Sequence, residues 1–164
     1  MTIYNTIERA DGCTVNIYYD ESPENPVTSW DILGTMYCAH SRYNLGNVHC
    51  RDADDVLCRM CEDLLPQRMY DSRTVQDWIN GDGDEAKVWA LLHRHAIILP
   101  LYLYDHSNLS ISTAPYNCRW DSGQVGYYAV AKATARQEFK GKYIEKAKAC
   151  MEGTVSTYDD YLQG

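Results

Sequence analysis

Apolar residues recur along this chain with two spacings, and each spacing predicts an element. In "CTVNIYY", Val15, Ile17 and Tyr19 alternate with smaller or polar neighbours, which predicts a strand over 13–19. The following "DESPENPVTS" carries Pro23 and Pro26 and reads as a loop without regular structure. "LGTMYCAH", residues 33–40, reads as the strand that returns along the first. The spacing then changes to three and four in "DADDVLCRMCEDLL". There Val56, Leu57, Met60, Cys61 and Leu64 form one stripe of a helix over about 52–65, capped by Asp52 or Asp54 and stopped by Pro66.

A short helix is expected at 74–80. After the break "GDGD", Asp84 caps another that runs to about His95, with Val88, Leu91, Leu92 and His95 on one side. His93 and His95 fall in its last turn, where a helix dipole favours them. "AIILPLYLYD" has the composition of a central strand, and Pro100 demands an edge position or a bulge within it. "LSIS" and "QVGYYAVA" read as further strands. Residues 133–152 are helical, with Phe139, Tyr143, Ala147 and Met151 four apart and Gly141 a point of division; "TVSTYDDYLQG" reads as a last short helix. Strands and helices do not alternate regularly. The expected class is therefore α+β: a mainly antiparallel sheet of about five strands with three to four helices on it, in one domain over 1–164.

A loose echo links the two halves. Tyr19-Asp20, Trp30-Asp31 and Gly34 are matched by Tyr104-Asp105, Trp120-Asp121 and Gly123, which suggests two hairpins with long loops at matching ends. The second Trp-Asp pair opens "WDSGQVGYY". This run lacks GxxxxGK[ST] and GxGxxG and leads into a strand, whereas phosphate cradles lead into a helix. It reads as a turn: Asp121 or Ser122 bonding backbone amides, Gly123 at positive φ, Gly126 at a bulge or close contact, and Trp120 packed on the core.

Charge changes the picture from fold to partner. Residues 1–90 hold 16 acids and 7 bases, and residues 91–164 hold 7 acids and 8 bases, so the net −8 lies in an acidic half followed by a more basic one. An acidic half repels phosphates and disfavours direct nucleic-acid binding. It suits docking into a basic groove of another protein, with Asp52, Asp54, Asp55, Glu62, Asp63, Asp77, Asp82, Asp84 and Glu85 as the contact residues. Six bases between Lys132 and Lys148 read as the solvated face of a helix. No apolar run reaches membrane-spanning length and no signal segment opens the chain, so the expected setting is the cytoplasm, without a membrane partner. A high Tyr content, 14 residues, admits a homodimer as well.

Two metal constellations are conceivable. Asp20, Asp31, Asp105, His106 and Asp121 fall at predicted strand ends, where convergent carboxylates and an imidazole can hold a divalent ion and activate water for hydrolysis. Cys50, Cys58 and Cys61, joined by His40 or His49, have the donor types of a zinc module, although Cys61 already belongs to an apolar stripe. No spacing matches a strong metal motif and no serine or cysteine sits in a nucleophile signature, so neither a catalytic residue nor a cofactor is expected.

The strings "YDESPENPVTSWDILGTMYCAHSRYNLGN" and "ILPLYLYDHSNLSISTAPYNCRWDSGQVGYYAV" resemble a family of small, mostly uncharacterised proteins of phages and mobile elements, over roughly 17–47 and 96–131. Asn108 departs from that pattern, where glycine is expected. Similar proteins continue past the YDxYL-type segment into another strand, whereas this chain stops at Gly164, which implies a missing edge strand or a different partner surface. The resemblance brings no catalytic residue. It implies a setting in which small acidic proteins counter host defences by binding a CRISPR effector or a restriction enzyme. The expected function is thus an anti-defence inhibitor, most specifically an anti-CRISPR protein.

Overall fold

Alternation along three long or central strands builds the molecule, because each strand is buried on both faces. The computed structural model describes residues 2–164. Its main sheet contains β3 (Thr35–Ala39), β4 (Val48–Cys50), β5 (Ala96–Asp105), β6 (Leu109–Ser112) and β7 (Ser122–Ala131), in the order β4-β3-β7-β5-β6. All neighbours are antiparallel except β3 and β4. Successive side chains point to opposite faces. Accordingly Met36, Cys38, Leu99, Leu101, Tyr128 and Val130 enter one core, and Tyr37, Ile98, Tyr127 and Ala129 face the other. Burial on both faces is why "AIILPLYLY" and "YYAVA" read as nearly continuous apolar runs.

The first core is closed by α7 (Tyr143–Gln163), whose Ala147, Met151, Val155 and Tyr158 are buried, together with Val27 of α1 (Pro26–Ser29). The second is closed by α2 (Ala53–Leu64), α4 (Arg73–Ile79) and α5 (Glu85–His95). The predicted caps are in place: Asp52 accepts from the Asp55 amide at 2.8 Å and Asp84 from the Ala86 amide at 3.0 Å. A single turn, α3 (Gln67–Tyr70), follows Pro66. Between α6 (Lys132–Glu138) and α7, Gly141 and Lys142 both take positive φ, 57° and 45°, so the helices divide where glycine predicted. The final segment is a continuation of α7, without a break before it. The α+β class is correct, with more helices than expected.

The N-terminal pairing differs from expectation. The strand read at 13–19 is β2 (Thr14–Tyr18), and its partner is β1 (Ile3–Glu8), not residues 33–40. β3 pairs instead with β4 and β7, so the echo of two matched hairpins holds only for the second half. The "DESPENPVTS" loop also contains α1. Pro26 occupies its first turn, where the missing N–H costs nothing, and Asn25 caps it by accepting from the Val27 amide at 2.9 Å.

Pro100 satisfies both alternatives offered for it. It lies opposite Tyr127 of β7, while β6 pairs only with Tyr102–Asp105, so one side of Pro100 has no paired strand. The register shifts immediately afterwards, between Leu101 and Tyr102, opposite Gly126 and Gln124. Gly126 is thus the close contact that was expected: a Cβ there would come within 2.9 Å of Cys38 Cα. Three expectations for the same turn fail. Among the described residues no backbone amide donates to the Asp121 or Ser122 side chain: Asp121 accepts from the Cys118 thiol, and the Ser122 hydroxyl donates to the Cys118 carbonyl. Gly123 does not take positive φ, and Trp120 is 96% exposed, because the turn projects beyond the sheet and has no core beneath it.

Candidate functional site

The loop after β3, the end of β5 and the entry to β7 meet at one end of the sheet. Arg42 pairs with Asp105, whose other oxygen accepts from the Tyr43 hydroxyl at 3.3 Å. The Asp105 amide donates to the Asp121 carbonyl at 2.8 Å. His106 Nδ1 lies 3.7 Å from Asp121 Oδ2, and the Cys118 thiol donates to the same oxygen at 3.4 Å. A hollow of about 360 Å³ opens here, lined by His40, Arg42, Asp105, Trp120 and Asp121 among others. Three of the five residues proposed for a hydrolytic metal site, Asp105, His106 and Asp121, are therefore brought together.

Asp20 and Asp31 do not join them. Asp20 closes a local turn by accepting from the Ser22 amide at 3.0 Å, and Asp31 lies in the loop after α1. Among the described residues no three His, Cys, Asp or Glu side chains are grouped to hold a metal ion. The trio has the wrong connectivity for nucleophilic catalysis as well. Activation needs an imidazole between nucleophile and carboxylate, whereas Asp121 stands between Cys118 and His106. Asp105, occupied by Arg42 and Tyr43, serves as a clamp between two loops.

The zinc constellation does not assemble among the described residues either. Cys50 and Cys61 pack as apolar side chains in the second core, where burial pushes their thiols up to about 11 and about 12. Cys58 is half-buried, and burial with the nearby Glu62 and Asp55 carboxylates raises its thiol too. His40 Nδ1 accepts from the amides of Arg42 and Tyr43, both at 3.2 Å, and His49 is exposed on β4.

The predicted acidic surface has a shape that the sequence did not suggest. A groove of about 600 Å³ runs between the start of α2, the end of α4 and the loop into α5, lined by Arg51, Asp52, Asp54, Asp55, Cys58, Trp78, Ile79, Gly81, Gly83 and Glu85. Four of the nine predicted acids thus converge from positions some thirty residues apart, and Asp82 sits between two lining glycines. The remaining acids do not line the groove, and most of the nine have local tasks. Asp63 accepts from the Tyr37 hydroxyl at 2.9 Å; burial first, and then this bond to a carboxylate, raises the Tyr37 phenol well above its usual range. Glu62 pairs with Arg59, Asp77 with Arg73 and Asp84 with Lys87, while Glu85 accepts from Trp89 Nε1. Arg51, through its amide and then its guanidinium, holds the Asp55 carboxyl below its usual range. Asp54 and Asp82 are exposed and form no side-chain hydrogen bond or ion pair among the described residues.

Trp78 and Ile79 were not singled out from the sequence. Their signal was present in "DWING", an apolar pair ahead of a glycine break, but it reads equally well as the end of an ordinary helix. The basic run of the second half has structural employment. Lys132 donates to the carbonyls of His93 and Arg94 at 2.6 and 3.2 Å, closing the C-terminus of α5, and Arg136 donates to the Tyr143 hydroxyl at 3.1 Å. No helix among the described residues is long and apolar enough to cross a membrane. No family model, curated protein or solved structure matches the chain.

Proposed function

We propose that this chain is a binding inhibitor that takes a basic segment of a partner protein into the acidic groove between α2 and the α4–α5 loop. The observation that carries this reading is the convergence of Asp52, Asp54, Asp55 and Glu85 around Trp78 and Ile79. Carboxylates at the rim attract and orient a cation, and an indole face beside them accepts the aliphatic stem of Arg or Lys. Asp54 and Asp82 need not break an internal pair to do so. The partner in this proposal is a nucleic-acid-processing defence protein, such as a CRISPR effector or a restriction enzyme, whose basic groove supplies the segment. The resemblance of the "YDESPENP" and "WDSGQVG" strings to phage proteins supports that setting.

The probe for the test is an oligo-arginine peptide, titrated calorimetrically at low salt. Asp54→Asn with Asp82→Asn should weaken its binding by about 3- to 10-fold, the range for loss of one or two exposed ion pairs. Glu152→Gln with Asp160→Asn removes the same charge from exposed positions on α7 and should leave binding nearly unchanged. Equal weakening by both pairs means that net charge alone attracts the peptide, and the groove is then not the site.

A further inference from the structure

The hairpin of β1 and β2 stands apart from both cores. Its strands pair with each other alone, and every residue from Thr2 to Glu24 is exposed. Yet its composition is not that of a solvated ribbon. Ile3, Tyr4, Ile7, Val15, Ile17 and Tyr18 are each 41–63% exposed. The register sets Ile7 opposite Val15 and Asn5 opposite Ile17, so Ile7, Val15 and Ile17 share one face. A two-stranded hairpin is marginal in water without something against its apolar face. Neither strand carries the lysine or proline with which natural edges deter pairing, and Glu8 is the one charge in the two strands.

We infer that the chain forms a two-fold homodimer in which the Ile7–Val15–Ile17 face of one hairpin packs on the same face of a second copy. Charge selects this occupant. The chain is net −8, but residues 3–18 contain only Glu8, Arg9 and Asp11, so two hairpins meet with little repulsion while a basic partner finds few carboxylates there. Area allows it. Ile3 and Tyr18 point to the other face, but Tyr19, two residues beyond Ile17, continues this one, and the Tyr4 ring meets the Tyr19 ring at 5.1 Å. Three aliphatic side chains and two tyrosines, each about half exposed, offer roughly 400–500 Å² per copy, which places the contact at the low end of specific interfaces. Symmetry suits it as well, because an apolar face packed on its own copy is the isologous contact of most soluble dimers. This interface is separate from the acidic groove and does not depend on the function proposed for it.

Sedimentation velocity on the full chain, at up to about 100 µM, tests the inference, since that concentration populates a weak complex of the kind small interfaces form. The expected result is a dimer that becomes a monomer in Val15→Lys, whereas Ile144→Lys, at an exposed apolar site on α7, leaves it dimeric. Circular dichroism should show the helices intact in Val15→Lys, because the hairpin contributes nothing to either core. Hydrogen exchange on the wild-type chain reads the same contact without mutation: the amides of Thr14–Tyr18 should lose protection on dilution. A monomer throughout the concentration range, a dimer that survives Val15→Lys, or exchange at Thr14–Tyr18 that does not change on dilution would each overturn it.

Discussion

Two glycines three apart in "SGQVG" are predicted to behave oppositely when a methyl group is added. Neither takes positive φ, so alanine brings no backbone strain at either position and space alone decides. At Gly123 a Cβ would meet nothing within 4 Å. At Gly126 it would lie 2.9 Å from both Cys38 Cα and the Tyr37 carbonyl carbon, and closer still to the Tyr37 carbonyl oxygen. These are backbone atoms of β3, the strand paired with β7 through Cys38 and Gly126, and no rotamer change can move them. Relief requires β3 to shift away from β7 in the middle of the sheet, between two filled cores. Overpacking of this kind costs about 1–3 kcal/mol, and the backbone obstacle puts Gly126→Ala at about 3 kcal/mol or more. Gly123→Ala should be neutral or stabilising by up to about 1 kcal/mol, through a less mobile unfolded chain. In urea, with a slope of about 2 kcal/mol/M, the first change lowers the midpoint by about 1.5 M and the second leaves or raises it. A Gly126→Ala midpoint within about 0.25 M of wild type would refute the reasoning, since at that slope it means the strands part at almost no cost.

Two further outcomes follow from the sheet end and the cores. A double-mutant cycle on Arg42→Ala and Asp105→Asn should give a coupling of about 0.5–1 kcal/mol, as expected for a pair with one exposed partner; no coupling would free Asp105 for another role. Burial pushes the thiols of Cys38 and Cys61 up to about 12, so the folded chain keeps protons that the unfolded chain releases above about 9. Their contribution is complete below about pH 9 and is lost as pH rises towards about 12, at up to ~1.4 kcal/mol per pH unit per thiol; the decline should be shallower in Cys61→Ala, and parallel declines would count against the assignment.

What the sequence made legible was local. The bounds of α2 and α5 came within about a residue because Asp52, Asp84 and Pro66 act on their immediate neighbours. The division at Gly141 was legible for the same reason. Strand pairing was not, because the edge that receives β3 belongs to β7, some ninety residues onward, and nothing near residue 35 encodes that choice. β4, with three residues, is too short to show a period. Trp120 was misplaced by reading hydrophobicity as burial, which fails for a turn that leaves the sheet. The acidic residues were visible one by one. Their convergence was not, since it depends on how α4 and α5 pack on α2.

The groove and the hairpin divide the chemistry of the N-terminal half, and salt separates them. The binding of a basic segment proposed for Asp54 and Asp82 would draw on attraction between exposed charges, which added salt screens. The association inferred for Ile7, Val15 and Ile17 would draw on apolar area, while two chains of net −8 repel each other at long range. Screening removes that repulsion and leaves the apolar gain, so salt should tighten the dimer while it loosens the groove. If both processes weakened together, the hairpin contact would be carried by charge. Its three ionised residues, Glu8, Arg9 and Asp11, offer too little for that unless an acid of the acidic half reaches across to Arg9 of the second copy.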